Sequence, residues 1–363
     1  MEFSPAIAGR VWQTDCGAAP MPATTHLPTL PVLDRLARPL RDLRVSVTDR
    51  CNFRCTYCMP REHFGAQHRF LPRAEILSFE EITRVVTVAR GLGVQKVRLT
   101  GGEPLLRAQL TELCAMLSGI DGLDLALTTN GSLLDRHARA LADAGLGRLT
   151  VSLDSLDDET FRRMADAEYS ATDVLRGIEA AERAGFGRIK LNCVVRRGVN
   201  DGEIVALARR FKGTGHVVRF IEFMDVGLTN GWRTDAVVTG REIVERLDRE
   251  LGLVPLSPAY SGEVARRCRH GSRSGEVGVI TSVSQPFCGD CARLRLAADG
   301  KLYTCLVSAD GHDLRPTLRS GAGDEALADY IQGLWRARED RYSELRSART
   351  RGLPRPEMSY VGG

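Results

Sequence analysis

The chain has 363 residues, 43% of them hydrophobic and 26% charged, with a net charge of +4, enough to build one large domain or two ordinary ones. No apolar run approaches the ~20 residues that a membrane span requires, and the N-terminus lacks the basic region and apolar core of a secretion signal, so a cytoplasmic location is expected. The mild positive charge suits an anionic small molecule as readily as nucleic acid.

Residues 1–38 are rich in Ala, Pro and Thr and show no helical or strand period. They are expected to form a disordered extension, with order beginning near Arg41. From there β-branched apolar runs alternate with amphipathic stretches of helical length. The expected strands are Leu43–Thr48, Lys96–Thr100, Asp124–Thr128, Arg148–Asp154, Arg188–Val195 and Val217–Phe223. Helices are expected over Phe79–Leu92, Leu133–Ala144, Ala171–Ala184 and Asp201–Lys212. This alternation implies a parallel sheet with right-handed crossovers. Six such units without a dinucleotide-binding glycine fingerprint favour a partial α/β barrel, here assigned to residues 39–230.

Unusual residues gather after these strands, at Asp49–Met59, Gly101–Pro104, Thr128–Gly131, Ser152–Ser155 and Glu222–Asp225. Active sites of parallel barrels lie at the C-terminal ends of the strands, so the five segments are expected to converge on one rim. Beyond about residue 230 the alternation stops. Residues 231–363 are read as a smaller C-terminal domain that closes the barrel, with helices from about Asp324 to Arg349.

Six of the ten cysteines fall into two tight groups. In a reducing compartment such clusters hold metal or do catalysis more often than they form disulfides. Cys16, Cys114, Cys193 and Cys268 stand alone and read as ordinary residues. Cys51, Cys55 and Cys58 form a C-x3-C-x2-C group in a loop after a strand. Zinc would need a fourth ligand, for which His63 and His68 are candidates. A [4Fe–4S] cluster on three thiolates keeps one iron open, and that iron can chelate the amino and carboxylate groups of S-adenosylmethionine. Cys288, Cys291 and Cys305 form the second group, with Cys268, His270 or His312 as possible fourth zinc ligands. Taken alone, this group suits zinc and a cluster equally.

The first cysteine spacing, with Tyr57 before the last cysteine, resembles the signature of the radical S-adenosylmethionine superfamily. Gly101-Gly102-Glu103-Pro104 resembles that superfamily's second motif, whose backbone and carboxylate bind the methionine amino group. Beside such a barrel, the second group reads as an auxiliary [4Fe–4S] cluster. More specifically, residues 42–58 (DLRVSVTDRCNFRCTYC), 96–104 (KVRLTGGEP), 219–225 (RFIEFMD), 284–288 (SQPFC) and the terminal Gly362-Gly363 resemble the GTP 3′,8-cyclase family. The resemblance covers nearly all of Arg38–Gly363.

That resemblance implies an incomplete TIM-type (β/α)6 barrel, with a smaller C-terminal domain carrying a second Fe–S cluster. It implies conversion of GTP to (8S)-3′,8-cyclo-7,8-dihydroguanosine 5′-triphosphate, the first step of molybdenum cofactor biosynthesis. Cys51, Cys55 and Cys58 would hold the first cluster, and Tyr57, Gly102, Ser152 and Met224 would touch S-adenosylmethionine. Cys288, Cys291 and Cys305 would hold the second cluster, whose open iron binds guanine. Arg44, Arg98, Thr128, Lys190, Arg293 and Arg295 would contact GTP, with Arg219 a weaker candidate. For Lys190 the competing reading is an ion pair with Glu222. Gly362 and Gly363 would enter the active site.

The implied partners are a flavodoxin- or ferredoxin-type reductant and a downstream cyclic pyranopterin monophosphate synthase. Neither nucleic acid nor a membrane is implied, and the chain would be a monomer or homodimer. Two other readings are a radical enzyme that matures peptides, whose extensions typically carry more cysteines, and a non-catalytic zinc-binding protein.

Overall fold

Along the central strands aliphatic side chains alternate with polar ones, so the sheet has one dry and one wet face. The computed structural model describes residues 31–260, 262–271, 275–346 and 354–362. Six strands, β1 (Asp42–Ser46), β2 (Lys96–Thr100), β3 (Asp124–Thr129), β4 (Arg148–Ser152), β5 (Lys190–Val195) and β6 (Val217–Glu222), pair in parallel in chain order. The crossovers carry α1 (Phe79–Gly91), α2 (Leu110–Ser118), α3 (Leu134–Asp143), α4 (Asp158–Ala165), α5 (Ala171–Arg183) and α6 (Ile204–Arg210).

Local chemistry fixes several of these starts. Ser78 and Glu81 form a reciprocal capping box on α1, and Ser170 and Asp173 form another on α5, each satisfying backbone donors that the helix leaves open. Leu43, Val45, Val97, Leu99, Leu127, Val151, Leu191 and Phe220 are buried in the main apolar core. The alternate positions line a cavity inside the partial barrel.

After β6 come α7 (Gly240–Leu251), β7 (Leu253–Pro255), β8 (Arg266–His270) and β9 (Glu276–Ile280). They are followed by β10 (Arg293–Leu296), β11 (Lys301–Tyr303), β12 (His312–Asp313), α8 (Arg315–Arg319), α9 (Asp324–Ala337) and α10 (Met358–Val361). β9 pairs in parallel with β6 at one edge of the barrel sheet, and β10 pairs in parallel with β1 at the other. The result is one 12-stranded sheet, ordered β12-β11-β10-β1-β2-β3-β4-β5-β6-β9-β8-β7. The C-terminal residues thus extend the barrel wall on both sides.

Three boundaries differ from expectation. Order begins before Arg41: Leu33 and Pro39 form an antiparallel bridge, and Leu40 N–H donates to the Val32 carbonyl. The hook is held by a buried ion pair of Asp34 with Arg38 and, from the far end of the chain, Arg338. A partner some three hundred residues away leaves no local period, so residues 31–38 are wrongly expected to be disordered; residues 1–30 of that expected extension lie outside the described residues. Of the helices expected from about Asp324 to Arg349, α9 ends at Ala337, where Arg338 turns extended and makes the same ion pair, and residues 347–349 lie outside the described residues. The helix expected from Asp201 starts instead with a 3₁₀ turn, Asp201–Glu203, before α6. Among the described residues no helix is long and apolar enough to cross a membrane.

Candidate active site

The loop after β1 is shaped around its cysteines. Cys58 and Met59 donate their N–H groups to the Cys55 carbonyl, and Arg54 holds the carbonyls of Cys51, Phe53 and Phe64. The Phe53 N–H points at the Cys51 sulfur over 3.4 Å, the kind of contact that steadies a thiolate ligand. Burial, and then the Glu103 charge, push the Cys51 thiol up to about 12; burial also raises Cys55 and Cys58, with Cys55 feeling the charge of Cys51 and Cys58, and Cys58 that of Cys51. Such thiols ionise when a cation takes the charge.

The Gly101-Gly102 turn lies directly on this loop. Gly102 N–H donates to Thr48 O over 2.8 Å, and a Cβ on Gly102 would strike the Arg50 carbonyl. Glu103 is 1% exposed, and its oxygens accept from the Leu105 and Asn130 N–H groups and the Thr129 hydroxyl. The carboxylate therefore braces the loop after β3.

The second group sits at the other end of the barrel. Cys288 opens a 3₁₀ turn, Cys291 closes it, and Cys305 follows β11. Cys291 immediately precedes β10, and Arg293 is in register with Asp42 at the start of β1. The first group follows the end of β1. The two groups are thus separated by the length of that five-residue strand, roughly 16 Å at about 3.3 Å per residue. Burial opposes ionisation of the Cys291 thiol, yet Arg293 and Arg338 hold it down to about 6.

Among the described residues no three His, Cys, Asp or Glu side chains converge closely enough to hold a single metal ion. Cys268, a possible zinc ligand, is packed in the main core instead. Two sets of three thiols match the donor count of a [4Fe–4S] cluster with one open iron, whereas a structural zinc takes four ligands.

Between the groups lies a cavity of about 300 Å³. Its wall brings together Arg44, Tyr57, Arg98, Thr128, Ser152, Lys190, Met224, Arg293, Arg295 and the three cysteines of the second group. Register explains the cations: Arg98 on β2, Arg44 on β1 and Arg295 on β10 are adjacent across the sheet. Arg98 Nη1 donates to the hydroxyls of Thr128 and Thr150, both over 2.9 Å. Burial and mutual repulsion push the cations down: Lys190 to about 7, Lys96 to about 8, Arg219 to about 9 and Arg295 to about 10. Arg44 is also lowered, by burial and by Arg295, Arg293 and Arg98. Cations crowded at this cost await an anion.

Glu222 does not neutralise Lys190. Its oxygens accept from the N–H groups of Gly240, Val283 and Ser284 and from the Ser284 hydroxyl. Tyr57 donates its hydroxyl to Asp154 over 2.6 Å, and Asp154 also accepts from Val194 N–H. Burial raises that carboxyl to about 6.

The C-terminal tail packs against the loops after β6 and β10. Arg355 bonds the Asp225 carbonyl, Glu357 accepts from Leu228 N–H and the Thr229 hydroxyl, and Tyr360 donates to Asp299. The Ser359 backbone partly offsets the burial that raises the Cys58 thiol, and the Gly362 carbonyl accepts from Arg295. Gly363, expected to enter the site, lies outside the described residues.

Sequence reasoning missed Arg38, Asp42, Lys96, Thr150, Asn192 and Tyr260 as neighbours of the cavity. Period two from Ser152 and Lys190 points to Thr150 and Asn192. Nothing local marks Tyr260, whose ring lies beneath the cations of Arg41 and Lys96.

The comparisons with known proteins agree with this geometry. The Radical SAM superfamily model matches residues 45–211, and the Molybdenum Cofactor Synthesis C model matches residues 216–344. A GTP 3′,8-cyclase of Acidothermus cellulolyticus is 54% identical over 361 residues, covering 92% of this chain and all of that one. The chain belongs to the GTP 3′,8-cyclase family. Enzymes of the same description from Xanthomonas axonopodis and Staphylococcus aureus are 53% and 47% identical, each over 92% of this chain. Streptococcus suis SuiB bound to S-adenosylmethionine shares the fold, with a TM-score of 0.59 at 14% identity, covering 86% of this chain and 72% of SuiB. Membership of the radical superfamily carries with it S-adenosylmethionine and an iron–sulfur cluster.

Proposed function

We propose that this chain converts GTP into (8S)-3′,8-cyclo-7,8-dihydroguanosine 5′-triphosphate, the first step of molybdenum cofactor biosynthesis, with S-adenosylmethionine and two [4Fe–4S] clusters. The observation that carries this reading is a single cavity lined by Cys288, Cys291 and Cys305, by Tyr57 from the loop of the first cysteine group, and by a belt of cations. Cys51, Cys55 and Cys58 would hold a [4Fe–4S] cluster, which when bound would supply the electron for radical chemistry on S-adenosylmethionine.

The protein's part is to hold and orient. Tyr57, Gly102, Ser152 and Met224 seat S-adenosylmethionine at the first end. Arg44, Arg98, Lys190, Arg293 and Arg295, with Thr128, seat the triphosphate, guanidinium forks matching phosphate oxygens in pairs. Cys288, Cys291 and Cys305 hold the second cluster against guanine. Residues 39–230 form the radical barrel and 231–363 the substrate-end domain. A flavodoxin- or ferredoxin-type protein reduces the enzyme in the cytoplasm, and a cyclic pyranopterin monophosphate synthase takes the product.

Anaerobic incubation with GTP, S-adenosylmethionine and dithionite, followed by mass analysis, should yield the cyclised triphosphate. ATP should give none, because the arginines read phosphate and only the second cysteine group reads the base. Equal turnover of ATP and GTP would sink that assignment.

Lys190 gives the reaction a pH dependence. With its pKa held near 7 in the cavity, a bound polyanion raises it, so GTP binding takes up a proton. Affinity is therefore full below about pH 7 and declines above it, by up to about tenfold per pH unit. Calorimetry in buffers of different ionisation enthalpy should show this uptake at pH 8, and Lys190→Arg should abolish it.

A further inference from the structure

The described N-terminal hook and the end of α9 meet beneath the second cysteine group. Asp34 Oδ2 accepts from Arg38 Nε over 2.6 Å and from Arg338 Nη1 over 3.1 Å. The three residues are 7%, 2% and 4% exposed. Their remaining donors go to the cysteine segments. Arg38 Nη1 donates to the Cys288 carbonyl over 2.8 Å and to the Asp340 carbonyl over 2.7 Å. Arg338 Nη1 donates to the Cys291 carbonyl over 2.7 Å, and its Nε to the carbonyl of Thr304, next to Cys305, over 3.0 Å. All three cysteine segments are held by two guanidinium groups that share one carboxylate.

Asp340 adds a second, partly exposed carboxylate, its Oδ2 3.5 Å from Arg338 Nε, so of the two anions that meet the two cations only Asp34 is fully buried. Both arginines border the cavity, and Arg38 Nη2 is buried without a hydrogen-bond partner. As a tie alone this is a poor choice, because a buried ion pair is often no more stabilising than apolar packing of the same volume.

We propose that Asp34, Arg38 and Arg338 are positioning residues for the Cys288–Cys291–Cys305 site, fixing the backbone of the three cysteine segments and setting the buried charge balance beneath the metal centre. This rests on reading that group as an iron–sulfur site. Three thiolates on a [4Fe–4S] cluster make an anionic centre, and reduction adds a further negative charge. A fixed buried cation favours the reduced form and raises the potential, as hydrogen bonding and net charge do around such clusters generally.

The test is a redox titration of the anaerobically reconstituted full chain, followed by electron paramagnetic resonance. The second cluster's signal is the one that disappears in Cys288→Ala. Arg338→Met removes a cation and should move that signal's midpoint to more negative potential. Asp34→Asn removes the anion and should move it to more positive potential. Arg338→Lys keeps the charge but not the fork, so the midpoint should stay near the parent value while the line shape changes. Glu339→Ala breaks only the exposed pair with Arg35 beside the brace and should change neither.

A purely structural tie would lower cluster content in the brace variants without opposite shifts. Shifts of one sign, or unchanged midpoints in Arg338→Met and Asp34→Asn, overturn the proposal. Should Arg338→Met fail to take up the cluster, Asp34→Asn against Arg338→Lys decides it by the same criterion. If the parent chain shows the first cluster's signal and none that depends on Cys288, the cluster reading itself is wrong and the brace falls with it.

Discussion

Replacing Gly362 by Ala is expected to remove most cyclisation, by about 100-fold, the scale on which misplacing a reacting group by about 1 Å acts, while fold and iron content stay unchanged. Gly362 has φ +74°, and a Cβ there would strike the Thr100 side chain. Alanine therefore meets both an unfavourable backbone conformation and a collision. The disturbance would fall on the Gly362 carbonyl bonded to Arg295 and, through α10, on the Ser359 backbone that favours the Cys58 thiolate. Upstream anchors are untouched: Tyr360 holds Asp299, Val361 is fully buried, and Glu357 grips the loop after β6. The variant should still fold and still cleave S-adenosylmethionine, but without productive coupling. Product formation measured beside 5′-deoxyadenosine release would show the split. Full turnover by a chain ending at Val361 would mean that the tail is dispensable.

The two cysteine groups should fail in different ways. Cys55→Ala should reduce S-adenosylmethionine cleavage to background, since Cys55 is central to the loop that both Cys58 and Met59 bond. Cys291→Ala should leave that cleavage in place and abolish the cyclised product, because the group lies at the far end of the cavity. Chromatography of 5′-deoxyadenosine and of the nucleotide product in parallel would separate the outcomes. Iron analysis should approach about eight irons for the parent chain, as two [4Fe–4S] clusters require. Cyclisation by Cys291→Ala at the parent rate would remove the second group from the reaction.

The six parallel strands were legible because each is a short apolar, β-branched run between stretches of helical length, and the first cysteine loop because its ligands lie within eight consecutive residues of one segment. Both signals are local, and both survive in the sequence without any knowledge of packing. The cations Arg44, Arg98 and Lys190 were named only through the family resemblance; their period places them on the inward face but gives no charge partner. Three things depended on tertiary pairing. The join of β10 to β1 sets the second cysteine group at the end of β1 opposite to the first. Glu103 braces loop amides, and Glu222 spends its carboxylate on loop amides instead of on Lys190. Asp34 and Arg38, in a stretch that reads as formless, become ordered only when Arg338 arrives from the far end of the chain. A period describes how a segment meets the layer beside it, whereas a buried ion pair between distant segments exists only after the chain has folded, so the sequence by itself determined the wall and the tertiary structure decided what faces into it.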